Sequence, residues 1–265
     1  MCRHLAYVGA EQPIGRLLSD PPHSLFRQSW APRRQRFGTV NADGFGVGWY
    51  AQGDPVPARY RRSGPVWGDA SFADLARVVR TTALLGAVRD ATVASPDGEA
   101  AAAPFAAGAW LFSHNGAVAG WPRSLAPLVR ELPATELLSM AARSDSAFVW
   151  ALVLGRLRAG DDGGRALART VAEVARAAPG SRLNLLLTDG GTITATAWGD
   201  TLWYLAEPRR GVVVASEPYD DDPRWQEVPD RTLLTAGGTD VLLTPLEDLH
   251  DDVPSAPPPP KEPIP

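Results

Sequence analysis

Met1-Cys2-Arg3-His4-Leu5-Ala6-Tyr7-Val8 opens the chain, and the reading of its second residue decides how the rest is assembled. Cys2 is the only cysteine among 265 residues. Removal of Met1 would leave a thiol and a free α-amine on one residue, and a small residue such as cysteine in second place permits that removal. A thiolate attacks carbonyl carbon far better than a thiol. An α-amine, with a pKa of roughly 7.7–8.0, accepts a proton near neutral pH without a dedicated histidine. Cys2 would thus carry a nucleophile together with its base. The other reading is an ordinary apolar residue at the start of a strand, since free cysteines are usually buried and inert. Position alone leaves both open.

Composition narrows the class. An apolar share of 45% with 9 Trp is ample for a core. There is no run of eighteen apolar residues, and Cys-Arg-His is not the start of a secretory signal, so the expectation is a cytoplasmic protein with no membrane partner. One cysteine excludes an intramolecular disulfide. His4, His23, His114 and His250 show no metal-ligand spacing, so neither a metal nor another cofactor is expected. A net charge of −4 argues against nucleic acid. Arg27, Arg33, Arg34 and Arg36 interleave with Trp30 and Phe37, and this stretch reads as a solvated loop or as arginines for a small anion.

Periodicity then assigns elements. Leu5 to Val8 reads as a strand closed by Gly9, and Pro13 to Leu18 as a short helix. Gly44 to Tyr50 is a strand with Phe45, Val47 and Trp49 on one side and glycines on the other. Phe72 to Val79 has helical spacing, Leu84 to Val88 and Ala109 to Phe112 are strand-like, and Ser95 to Ala107 reads as a loop. Two helices follow, Phe148 to Leu157 behind the start signal Ser144-Asp145-Ser146, and Arg165 to Ala177. The period then changes to two. Leu183–Leu187, Thr192–Ala197, Leu202–Leu205, Val212–Ala215, Thr232–Leu234 and Val241–Leu243 are expected as strands of a second, antiparallel sheet, with Thr188-Asp189-Gly190-Gly191 as a hairpin turn. Strands, two helices and more strands without a linker predict one α+β domain with two facing sheets, over residues 1–250. Residues 251–265, with Pro257 to Pro260, are expected to form a disordered tail.

Three stretches carry chemistry. In Ser113-His114-Asn115-Gly116, at the end of an expected strand, asparagine offers a side-chain N–H and glycine a freely aimed backbone N–H, as an oxyanion hole requires. Asn-Gly is also the strongest short hairpin signal. The glycines Gly44, Gly46 and Gly48 are followed by strand-like Trp49-Tyr50 and not by a helix, which rules out a nucleotide loop and points to close backbone approach. Arg89 at a strand end and Asp145 at a helix start are each explicable as a surface ion pair and a cap. Together they could hold an amino-acid head group, with Arg89 on the carboxylate and Asp145 on the ammonium.

An N-terminal Met-Cys, an Asp-Gly-x-Gly strand, a strand ending in Val-Arg, and Ser-His-Asn-Gly followed by Ser-Asp-Ser stand here in one order. That order resembles the class II glutamine amidotransferase family of N-terminal nucleophile hydrolases, and within it a stand-alone branch that removes γ-glutamyl groups in ergothioneine biosynthesis. Ala215-Ser216-Glu217-Pro218 is similar to the family's late Ser-Glu-Pro stretch. The resemblance implies a four-layer αββα sandwich with two mainly antiparallel sheets between helices. It implies Cys2 as nucleophile with its α-amine as base, and Asn115 and Gly116 as the oxyanion hole. Arg89, His114 and Asp145 become substrate-binding residues, Arg89 for the α-carboxylate and Asp145 for the α-ammonium. Where an acidic residue is usual after Ser-Asp-Ser, this chain has Ala147, and alanines precede Pro104-Phe105.

The expected partner is a small γ-glutamyl substrate, and homo-oligomerisation is left open. The chain has no length left for a synthetase domain, so a self-sufficient hydrolase is expected over two other readings: a glutaminase subunit feeding ammonia to a partner, and a catalytically silent binding protein. Trp30, Phe37 and Trp49 are candidate cation–π partners for a trimethylammonium leaving group.

Overall fold

Residues on both faces of the central strands are apolar, so each sheet must be covered twice, and the chain solves this with four layers. The computed structural model describes residues 2–38, 40–91 and 97–247. One sheet has seven strands and the other six, and every ladder is antiparallel.

The first sheet contains β1 (Arg3–Pro13), β2 (Phe45–Trp49), β3 (Ala58–Arg62), β4 (Arg80–Val88), β9 (Trp203–Glu207), β10 (Gly211–Ala215) and β11 (Gln226–Glu227), in the order β11-β9-β10-β1-β4-β2-β3. The second contains β5 (Phe105–Ala107), β6 (Trp110–Ala117), β7 (Arg182–Thr188), β8 (Thr192–Ala197), β12 (Thr232–Gly237) and β13 (Asp240–Pro245), in the order β13-β12-β8-β7-β6-β5. The sheets are therefore not an early one and a late one, as the sequence order suggests. β10 pairs with β1 from the far end of the chain, Leu5 opposite Ala215, and β5 and β6 join the later strands.

Alternation sorts the side chains. Leu5 and Tyr7 of β1 and Leu84 and Val88 of β4 pack outward against helices α1 (Gly15–Leu18), α2 (Leu25–Gln28) and α3 (Ala70–Val78). Leu183, Leu185 and Leu187 of β7 pack on the opposite outside against α5 (Asp145–Arg158) and α6 (Gly163–Ala177), while the short α4 (Ala134–Leu138) lies at the surface. Between the sheets sit Ala6, Val8, Leu85, Leu111, Leu186, Ile193, Val212 and Val214. This is the expected αββα sandwich. Ser144 caps α5 by accepting the Ala147 N–H, and Asp162 caps α6 by accepting the Arg165 N–H.

The glycines of β2 do let the sheets approach. A Cβ on Gly46 would meet the Ala103 carbonyl oxygen at 2.4 Å, and one on Gly48 the Leu111 methyls at 2.7 Å. Gly9, by contrast, does not close β1. The strand runs on to Pro13, with a bulge between Val8 and Gln12, because Gly9 pairs with Gly211 so closely that a Cβ would lie 2.0 Å from the Arg210 carbonyl oxygen. The stretch expected as a loop before β6 contains a 3₁₀ turn over Gly98–Ala101 and the strand β5. Part of that stretch, and the expected tail at 251–265, lie outside the described residues.

Candidate active site

β1 delivers Cys2 to the edge of the interior layer. Cys2 is half-buried and lines a narrow cleft with Phe45, Val88, Arg89, Phe105, His114 and Ser146. The cleft has about 20 Å³ of free space, room for about one water molecule, so rim side chains must yield to a larger guest. Wider hollows of about 510 and 540 Å³ open elsewhere, but neither contains Cys2 or the Asn115-Gly116 pair, so size does not locate the chemistry. Burial pushes the Cys2 thiol up from its ordinary range. The charge of the chain's N-terminal ammonium, then the backbone N–H of Asp90 and the Arg89 guanidinium, pull it down, and the Asp145 carboxylate pushes it up again. A thiol held up by burial is a poor thiolate at neutral pH and needs a base to lose its proton.

Asn115 and Gly116 do not form a turn. They lie inside β6, where Asn115 pairs with Asn184 and Gly116 with Leu183 of β7. Gly116 is required there, because a Cβ would meet the Arg182 carbonyl oxygen at 1.9 Å. Asn115 is fully buried, with Nδ2 3.2 Å from Ser216 Oγ.

His114, on the other face of β6, has both ring nitrogens engaged. Nε2 lies 2.9 Å from the Arg182 carbonyl oxygen and Nδ1 3.0 Å from Ser146 Oγ. A carbonyl can only accept, so Nε2 carries the proton and Ser146 donates to Nδ1. His114 thus ties the start of α5 to β6 and β7 while its ring lines the cleft.

Arg89 follows β4. Its N–H donates to the Gly44 carbonyl, its carbonyl accepts the Asp43 N–H, and its Nη1 reaches the Asp43 carbonyl oxygen at 3.2 Å, which leaves most of the guanidinium fork without a partner among the described residues, beside Cys2. Asp145 opens α5. Its carboxylate accepts the Val118 N–H at 3.0 Å and the Ser146 N–H at 2.8 Å. It does not line the narrow cleft, although its charge is felt at Cys2. Ala147, where an acidic residue is usual, is buried in the apolar cluster under α5, so a carboxylate there would be desolvated. Of the expected site residues, Cys2, Arg89 and His114 meet at the cleft; Asp145 stands next to the cleft residue Ser146 in α5, and Asn115 and Gly116 follow His114 along β6 without lining the cleft.

Several contributors escape the sequence reading. His4, two residues after the nucleophile, is buried with Nδ1 3.2 Å from Ser113 Oγ. Burial, then the neighbouring His114 and Arg3, hold its pKa down to about 3. Glu217 is buried and accepts the N–H groups of Arg33 at 2.9 Å and Arg34 at 2.8 Å, fastening the arginine-rich loop to the end of β10. Arg3 is fully buried with no hydrogen bond to its guanidinium among the described residues; burial weakens its proton affinity, and Glu217 and Asp200 oppose that. Only period-two alternation could have signalled His4 and Ser113, as polar residues at inward positions of apolar strands. Nor do the candidate aromatics form one cation site: Trp30 packs edge-on against Phe26 and Trp67, and Arg182 already stacks over Phe37. Among the described residues no cluster of His, Cys, Asp and Glu could hold a metal, and no helix is long and apolar enough to cross a membrane.

Comparison with known proteins bears on the same geometry. Residues 21–208 match the family model described as glutamine amidotransferases class-II. A γ-glutamyl-hercynylcysteine sulfoxide hydrolase of Mycolicibacterium smegmatis is 46% identical over 93% of this chain and 100% of its own length. The structure of a glutamine aminotransferase class-II domain protein from Silicibacter pomeroyi superposes with a TM-score of 0.67 at 25% identity, covering 92% of this chain and 99% of that one. The glutamine phosphoribosylpyrophosphate amidotransferase of B. subtilis shares the fold at 15% identity, with a TM-score of 0.64 over 92% of this chain and 49% of its own. With its cysteine at the head of β1, its Asn-Gly pair on the facing strand and these matches along most of its length, the chain belongs to the class II glutamine amidotransferase family.

Proposed function

We propose that the protein hydrolyses the γ-glutamyl amide of γ-glutamyl-hercynylcysteine sulfoxide, a step of ergothioneine biosynthesis, through a thioester on Cys2. The observation that carries this reading is the 46% identity to the hydrolase of that name across the whole of that relative. A buried thiol with a raised pKa, next to the chain's own α-amine once Met1 is removed, suits it.

The α-amine of Cys2 takes the thiol proton as Sγ attacks the γ-carbonyl carbon. Asn115 through Nδ2 and Gly116 through its backbone N–H hold the oxygen as it becomes negative. Arg89 grips the α-carboxylate with its free fork, Asp145 attracts the α-ammonium, and His114 walls the cleft. The C–N bond breaks, the α-amine gives its proton to the leaving nitrogen, and the amine product departs. Water, deprotonated by the same α-amine, then attacks the thioester carbonyl carbon; the C–Sγ bond breaks, the α-ammonium returns its proton to Sγ, and glutamate leaves. The protein works in the cytoplasm on a small molecule, with neither nucleic acid nor membrane as partner, in keeping with its net charge of −4.

The experiment is glutamate release by purified protein from γ-glutamyl-hercynylcysteine sulfoxide and from free glutamine, each with a Cys2→Ala control. Rapid release from the sulfoxide and slow release from glutamine is the expected result. Cleavage of glutamine alone, or only in the presence of a synthetase, would favour a glutaminase subunit.

A further inference from the structure

Ser216 follows β10, and its hydroxyl lies between β1 and β6, wholly buried. The His4 N–H donates to Ser216 Oγ at 3.0 Å, and the Ser216 N–H returns to the His4 carbonyl oxygen at 3.0 Å. Thr201 Oγ donates to the Ser216 carbonyl at 2.8 Å. The residue is therefore held by three contacts, of which the His4 N–H reaches the hydroxyl itself, and Asn115 Nδ2 at 3.2 Å is the hydroxyl's other neighbour among the described residues.

The hydrogens do not balance in that arrangement. Ser216 Oγ accepts two N–H groups, and its own proton has no acceptor among the described residues. Asn115 Oδ1 is buried with no donor among the described residues. A hydroxyl carries one donor and a carboxamide oxygen accepts up to two hydrogen bonds, so an unused donor stands beside an unused acceptor. Turning the carboxamide half a turn exchanges oxygen and nitrogen and moves nothing else. Ser216 O–H then donates to Asn115 Oδ1, Ser216 Oγ still accepts the His4 N–H, and Nδ2 occupies the unpartnered end. That end belongs to the buried polar interior in which His4 and Ser113 touch at 3.2 Å, two residues along the chain from Cys2 and from Asn115 respectively.

We infer that Ser216 is a positioning residue for the oxyanion hole: its hydroxyl donates to Asn115 Oδ1 and so presents the Asn115 Nδ2 hydrogens to the γ-carbonyl oxygen. The reverse orientation would present a lone pair to a developing negative charge. The inference rests on the reading in which Asn115 is an oxyanion donor.

A double-mutant cycle tests it, with kcat and KM for the γ-glutamyl substrate in Ser216→Ala, Asn115→Ala and the double variant. Alkylation of Cys2 by iodoacetamide, which passes through no oxyanion, is measured alongside. Ser216→Ala is expected to lower kcat roughly 10- to 100-fold with KM little changed, and the double variant to be no slower than Asn115→Ala. Alkylation should keep its wild-type rate. Ser216→Thr, which keeps the hydroxyl, should stay close to wild type and serves if the alanine variant melts. Full kcat in Ser216→Ala, a loss that persists undiminished without Asn115, alkylation falling in step with kcat, or a folded threonine variant as slow as alanine would each overturn it. Wild-type kcat in Asn115→Ala would instead remove the oxyanion reading itself, and this inference with it.

Discussion

The layer between the two sheets has two ends made from the same strands and unlike in chemistry. Along the inward face of β1, His4 gives way to Ala6 and Val8. Along β6, Asn115 and Ser113 give way to Leu111, and along β7, Asn184 gives way to Leu186. After β10, Ser216 follows Val214 and Val212. One end is a web of buried polar groups, His4 to Ser113, Asn115 to Ser216, and Asn184 to the Asp200 and Thr201 carbonyls. The other is a packed apolar core. The same alternation that builds a sandwich also aims side chains at a site, and a change of residue type along a strand separates the two jobs.

Breaking the polar end should damage the reaction and spare the fold. Asn115→Ala is expected to lower kcat roughly 10²–10³-fold, about 3–4 kcal/mol of barrier, with a melting temperature near wild type; steady-state kinetics and calorimetry read both. Equal losses of activity and stability would erase the distinction between the two ends.

Breaking the apolar end should do the reverse. Leu186 is fully buried between the sheets, and Leu186→Ala should destabilise by about 2–5 kcal/mol in urea unfolding while kcat per folded molecule stays unchanged.

The contact of β2 with the second sheet sharpens the comparison. A Cβ at Gly46 meets a backbone oxygen at 2.4 Å, which cannot swing away, so Gly46→Ala should cost about 1–3 kcal/mol of stability. At Gly48 the obstacle is the flexible end of Leu111, and Gly48→Ala should cost less.

A further effect concerns pH. His4 titrates at about 3 in the fold against 6.5 unfolded, because burial disfavours its cation. As pH falls through 6.5 the unfolded chain binds a proton that the native state refuses, so stability is lost toward about pH 3. The slope is at most about 1.4 kcal/mol per pH unit. His4→Gln should flatten that part of the acid limb in urea titrations at successive pH values, and an unchanged slope would show that His4 is not the group responsible.

Much of this was legible because it is local. Thr192–Ala197 has the bounds its alternation predicts, and Asp189 accepts the Gly191 and Thr192 N–H groups in the hairpin turn expected before it. Cys2, Arg89 and Asn115 could be singled out as residue types suited to acyl transfer. What escaped depends on pairing across the chain. The turn signal of Asn115-Gly116 is overridden by β7, against which Gly116 must lack a side chain. Gly9 looked like a strand end and is a point of contact with Gly211. Ser216 acquires a role only because β10 folds back beside β1, which brings its hydroxyl to Asn115, a hundred residues earlier in the chain.

The central claim is that Cys2, freed of Met1, carries the γ-glutamyl group as a thioester. Its most direct test is mass spectrometry of the N-terminal peptide from enzyme acid-quenched during turnover. A peptide that begins at Cys2 and bears a γ-glutamyl adduct, absent from Cys2→Ala, is the predicted result. Full activity in a chain that retains Met1, or glutamate released by Cys2→Ala as fast as by wild type, would contradict it.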